Sequence, residues 1–125
     1  MNNIVNYTIG MLIACSVLAL ATNAAVAQDP TKVDAKHYTV TFENDQVRIL
    51  RINYGAREKS VLHEHPNSIA VFLTDGKIKF TLADGTSQER DVKAGQSVWN
   101  PAGKHLPENM GDRPFEVVLI EMKSK

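Results

Sequence analysis

With 125 residues, the chain has length for one domain and not for two. Its 14 basic and 14 acidic residues balance, and no basic patch stands out, which argues against nucleic acid as a partner. A single cysteine, Cys15, leaves no disulfide framework to hold a fold together.

The first 27 residues differ in kind from the rest, holding no Asp, Glu, Lys or Arg. Residues 9–21 are an unbroken run of thirteen apolar and small side chains, and Ala25-Val26-Ala27 precedes Gln28-Asp29-Pro30. An apolar run of that length ahead of an A-x-A triplet predicts a secretory signal peptide, residues 1–27, cleaved after Ala27. The run is too short for a membrane span. The only positive charge at its start is the amino terminus, which keeps an uncleaved anchor open as a second reading. A third is a lipidated Cys15, since Leu12-Ile13-Ala14-Cys15 resembles a bacterial lipobox, although the apolar run continues past it to Ala21. Cleavage after Ala27 predicts a periplasmic or secreted domain of 98 residues, 28–125, with no cysteine. Such a domain depends on its own core, a bound metal or oligomerisation.

Residues 29–32 are a polar lead-in. Residues 37–42 alternate and are rich in β-formers, which predicts a first strand, and Glu43-Asn44-Asp45 turns the chain. Residues 46–54 predict a longer strand ended by Gly55. A third covers 59–65 and stops at Pro66-Asn67. Residues 69–73 are a short apolar run, Thr74-Asp75-Gly76 makes a hairpin turn, and 77–82 alternate cleanly. Asp84-Gly85 is another tight turn, and 86–92 read as an exposed polar strand. Ala94-Gly95 leads into 96–100, Pro101-Ala102-Gly103 breaks that strand, and 114–122 form the last and most apolar one. About eight short strands at roughly 8–12-residue spacing, with no long helical period, predict an all-β sandwich or barrel. The expected core is Ile69, Val71, Phe72, Leu73, Ile78, Phe80, Val98, Val118 and Ile120.

Chemistry concentrates in Val61-Leu62-His63-Glu64-His65-Pro66. On a strand, His63 and His65 project to one face while Leu62 and Glu64 face the other way. Two imidazoles converging from one strand are half of a metal site, and His105 is the candidate for the rest. The plain alternative is three histidines packed in a barrel without metal, but bringing them together from separate segments is costly unless something holds the rings.

Two stretches then resemble a known family. Gly55…His63-Glu64-His65…Gly76 resembles the first cupin motif. Gly95-Gln96-Ser97-Val98-Trp99-Asn100-Pro101-Ala102-Gly103-Lys104-His105…Asn109 resembles the second. The resemblance implies a cupin-type jelly-roll β-barrel with its site inside, and it puts His63, His65 and His105 at metal-binding positions. Two departures stand out. The glutamate position of the first motif falls on Ile69, and neither Ser68 nor Ala70 replaces it. One residue fewer than usual separates Gly103 from His105. The first departure leaves a three-histidine site or none.

Three neutral imidazoles suit a divalent Fe, Zn, Mn, Ni or Cu ion without choosing among them, and three protein ligands leave positions open for substrate. Cupins with such sites include thiol dioxygenases and diketone-cleaving enzymes, so the resemblance implies an oxygenase-type reaction on a small molecule. A non-catalytic binding or sensing cupin, with or without metal, is the alternative, favoured by the absent glutamate and the lack of an evident general acid or base. An isomerase or lyase is a third, and the absence of a recognisable catalytic Lys or Tyr pair weighs against it. Other residues carry expectations too. Glu64 reads as a surface residue or one in a second layer behind the histidines, and Glu108 as a solvated one or a stand-in carboxylate. His37 reads as a strand-end surface histidine, Trp99 as core or barrel mouth. Arg51 meets a substrate carboxylate if its strand face is inward and is solvated if it is outward. A small barrel without disulfides also has reason to form a homodimer, and no strand identifies the interface.

Overall fold

Residues 28–125 are described in the computed structural model; the predicted signal segment and Cys15 lie outside the described residues. One helical turn, α1 (Pro30–Val33), opens the domain. Asp29 caps it by accepting from the Thr31 N–H at 2.9 Å, and Pro30 stands where no intrahelical N–H is needed. Nine strands follow: β1 (Tyr38–Glu43), β2 (Val47–Tyr54), β3 (His63–His65), β4 (Ser68–Phe72), β5 (Gly76–Leu82), β6 (Ser87–Val92), β7 (Ser97–Asn100), β8 (Gly103–Asn109) and β9 (Phe115–Met122).

The strands form two antiparallel sheets, in the orders β1-β2-β9-β4-β7 and β3-β8-β5-β6. The core fills the space between them. Leu50, Ile52 and Tyr54 of β2 face Leu119, Val117 and Phe115 of β9 within one sheet, and Ile78 and Val92 close it from the other. The expected all-β barrel is therefore present. Gly76 shows why a side chain is excluded at one motif position: a Cβ there would meet the Phe115 ring at 2.6 Å. Gly95 turns between β6 and β7 at φ +83, a left-handed conformation that glycine adopts without cost.

Several expectations need correction. One strand more than the eight expected, β8, runs through the stretch read as a break and a loop. Pro107 lies inside it and supplies no N–H, but its carbonyl still accepts from the Ser60 N–H at 2.9 Å. The third strand shrinks from 59–65 to three residues. Five of the nine expected core residues lie outside the core. Phe72 and Ile78 are buried, with Phe80 and Val98 packed against them, but Ile69, Val71, Val118 and Ile120 face outward and Leu73 is exposed. The β9 run Phe115–Met122 is apolar on both faces, so alternation cannot fix its parity. Trp99 is neither core nor mouth; it pairs with Ile69 on the outer sheet face and is 56% exposed. Arg51 lies on that face as well, with Nη2 2.5 Å from Glu116.

Candidate metal centre

β3 and β8 are neighbours, and their register sets His63 directly opposite His105. His65, two residues along β3, projects to the same inner face. The three imidazoles meet edge to face, with centroids 4.7 Å apart for His63–His65, 4.9 Å for His63–His105 and 5.2 Å for His65–His105. One ring nitrogen from each lies within 4.8 Å of the other two.

The outer nitrogens are anchored. His63 Nδ1–H donates to the Val61 carbonyl at 2.8 Å, with Ser60 Oγ at 3.3 Å. His65 Nδ1–H donates to Glu121 Oε1 at 2.6 Å. Each of these Nδ1 atoms thus carries a proton, and the two Nε2 atoms face each other at 2.9 Å. The Nε2 of His105 is buried with no partner among the described residues, while the His105 ring stacks on Phe80. Burial pushes His63 down to about 4 and His105 down to about 3, and the neighbouring histidines add to both shifts. His63 and His105 are therefore neutral imidazoles at neutral pH. Two nitrogens each roughly 2.0–2.1 Å from one ion can stand this far apart, so the donor set fits a divalent cation.

Glu121 is the residue that sequence reasoning missed. Only 2% exposed, it takes His65 on one oxygen and Arg48 Nε on the other, both at 2.6 Å. Burial alone would raise its carboxyl, but these two partners outweigh burial and hold it below the usual range. Arg48 continues to Asp29, 2.6 Å away, which also caps α1. A carboxylate behind a ligating histidine fixes its tautomer and aim. The strand's own sequence hides it: only the register with β2 shows that Glu121 shares the inward parity of Leu119 and Val117, where a charge demands a partner.

Beside the histidines lies a cavity of about 340 Å³, apolar over most of its wall and bounded by His65 and His105. The family model for the Cupin domain matches residues 48–121 of this chain. The chain belongs to the cupin family. Solved structures with the same fold include a cupin domain from Bordetella pertussis Tohama I, 26% identical with a TM-score of 0.65, covering 70% of this chain and 92% of that one. A protein from Bacillus halodurans is 20% identical at a TM-score of 0.58 over 78% and 77% of the two chains. The DMSP lyase DddQ from Ruegeria pomeroyi DSS-3 is 20% identical at 0.54 over 73% and 49%. The last two show shared fold alone. No curated protein matches the sequence.

In this cupin the other candidates separate from the histidines. Ile69 points out of the barrel, so no carboxylate stands at that position; Glu121, across the ladder from Ser68, serves His65 from behind instead. Glu108 faces outward 4.0 Å from Lys79, and Glu64 is half-buried on the far face of β3. His37 is not a surface histidine. It is 6% exposed, stacks on Tyr54, and is held between Asp34 at 2.8 Å and Glu58 at 2.6 Å. Ser60 donates to the same Asp34 at 2.5 Å, so this cluster braces the segment leading into β3. A tyrosine pair is present after all: the Tyr38 and Tyr54 hydroxyls bond each other in the cavity wall. Burial pushes both phenols up, which keeps them protonated.

Proposed function

We propose that this cupin is exported, is cleaved after Ala27, and binds one divalent metal ion through His63, His65 and His105. It then acts on a small molecule held in the barrel cavity, with oxygenase-type chemistry as the leading reading. The observation that carries the metal site is the buried, partnerless Nε2 of His105 beside the facing Nε2 atoms of His63 and His65. When bound, the ion supplies a Lewis acid and, if redox-active, electrons for dioxygen chemistry. The chain's own residues do the rest. Val61 and Glu121 hold the imidazole protons on Nδ1, Phe80 fixes the His105 ring by stacking, and the apolar wall limits water around the reacting end. Oxygen uptake by ferrous-loaded protein, with thiols, diketones and phenols offered in turn, tests the reaction; uptake of none contradicts it.

The binding or sensing reading has its own support. Of the titratable groups in the cavity wall, both tyrosines are held protonated, and the one carboxylate among the lining residues, Asp91, pairs with Lys77 at 4.0 Å. A ligand that raises the melting temperature and is recovered unchanged favours this reading over turnover.

We also propose a homodimer through the outer face of the five-stranded sheet. Phe42, Ile49, Ile120, Ile69 and Trp99 are successive cross-strand partners and form an apolar row across every strand of it. Such a row, about 19 Å long at the usual strand spacing, presents the same patch on both copies, as a two-fold interface requires.

A further inference from the structure

Two charged residues, Arg90 and Asp91, are among those lining the largely apolar cavity. Arg90 stands in the inward register of β6, with buried Val92 two residues on and buried Ile78 as its cross-strand partner, but it is itself exposed, which places it at the cavity rim. The Arg90 guanidinium carbon lies 5.7 Å from the centre of the Phe80 ring, and the Phe80 and His105 ring centres are 5.3 Å apart, so the guanidinium is within about 11 Å of the His105 ring. Arg90 is the one lysine or arginine lining this cavity, and its guanidinium makes no ion pair or hydrogen bond among the described residues. The adjacent carboxylate does not neutralise it: Asp91 has the opposite parity on β6 and lies 4.0 Å from Lys77.

We infer that the cavity takes a small organic carboxylate. The Arg90 fork binds the anionic end, Phe80 supports the apolar body, and the far end reaches His65 and His105. A guanidinium pairs two N–H groups with a carboxylate, and it is less strongly hydrated than a lysine ammonium, so it suits the rim of an apolar pocket. The cavity limits size. At about 30 Å³ per water-sized volume, 340 Å³ admits a molecule of roughly ten non-hydrogen atoms. Placing the reacting end at the histidines rests on the proposed metal site; recognition of the carboxylate by Arg90 does not.

The test is calorimetry with benzoate and its neutral isostere benzamide, on protein processed by the cell, in both metal-free and metal-loaded form. In the metal-free wild type, benzoate is expected to bind at least about tenfold tighter than benzamide, the scale of a charge-assisted hydrogen bond. Arg90→Gln should erase that difference by weakening benzoate alone, and Arg90→Lys should keep part of it. Equal binding of the two probes, no benzoate binding, or benzoate affinity unmoved by Arg90→Gln overturns the inference. Benzoate binding that needs metal and ignores Arg90 also overturns it, because the carboxylate then sits at the histidines. Arg90 dependence in a protein that binds no metal leaves the inference standing and removes only the metal reading.

Discussion

Replacing Glu121 by Gln tests the support behind the histidines. Both carboxylate oxygens are used, by His65 Nδ1–H and by Arg48 Nε–H, each at 2.6 Å and in a site 2% exposed. Glutamine fills the same space but offers one oxygen and one NH2 group, so it sets a donor against a donor at one of the two partners. Losing one charge-assisted bond costs about 1.5–3 kcal/mol, and breaking a buried pair costs about 3–5 kcal/mol. Arg48 keeps Asp29 at 2.6 Å, which places the expected loss near the overlap of these ranges, about 3 kcal/mol. For a domain of this size that lowers Tm by at least about 12 °C. The His65 ring also loses its fixed tautomer, and metal affinity should fall about 10–100-fold. Thermal melts in chelator give the first number, and chelator competition gives the second. A Tm within two or three degrees of wild type, together with unchanged metal affinity, would refute the role assigned to Glu121.

Acid should destabilise the metal-free protein. His63 and His105 are held down to about 4 and about 3 against an ordinary 6.5, so below pH 6.5 the unfolded chain takes up protons that the folded one refuses. Stability is full above 6.5 and falls by about 1.4 kcal/mol per pH unit per histidine until the folded values are reached; a flat Tm between pH 7 and 4 would contradict this. Gly76→Ala forces a Cβ to within 2.6 Å of the Phe115 ring and should cost about 1–3 kcal/mol as overpacking, read by denaturant unfolding, where an unchanged midpoint would show that the ring yields freely. Ile120→Glu, in the middle of the outer apolar row, should convert a dimer to a monomer in light scattering without loss of bound metal. A monomeric wild type would sink the dimer.

The barrel was legible because turns punctuate it: Asp84-Gly85 and Ala94-Gly95 mark reversals wherever the strands are placed, and the alternation of 77–82 gives the inward Ile78 directly. His63 and His65 were legible for the same reason, since two residues on one strand must share a face. Parity in the apolar strands was not. Residues 115–122 are apolar on both faces because the outer sheet surface is itself greasy, and only the cross-strand register, through Leu50–Leu119–Ala70, tells inside from outside. β8 was hidden by Pro107, a residue that local rules keep out of central strands. His37 and Glu121 lie far in sequence from the groups they serve, 21 residues from Glu58 and 56 from His65, and no local pattern announces such pairings. Arg90 lies in a strand that reads as polar throughout, so its inward register shows only in the ladder with β5.

The most direct test of the account is the metal content of the protein, expressed as the full chain and purified without added metal or chelator, beside its His105→Ala variant. Near one equivalent in the wild type and almost none in the variant is the predicted result. Little metal in either, with both proteins folded, would contradict the three-histidine centre.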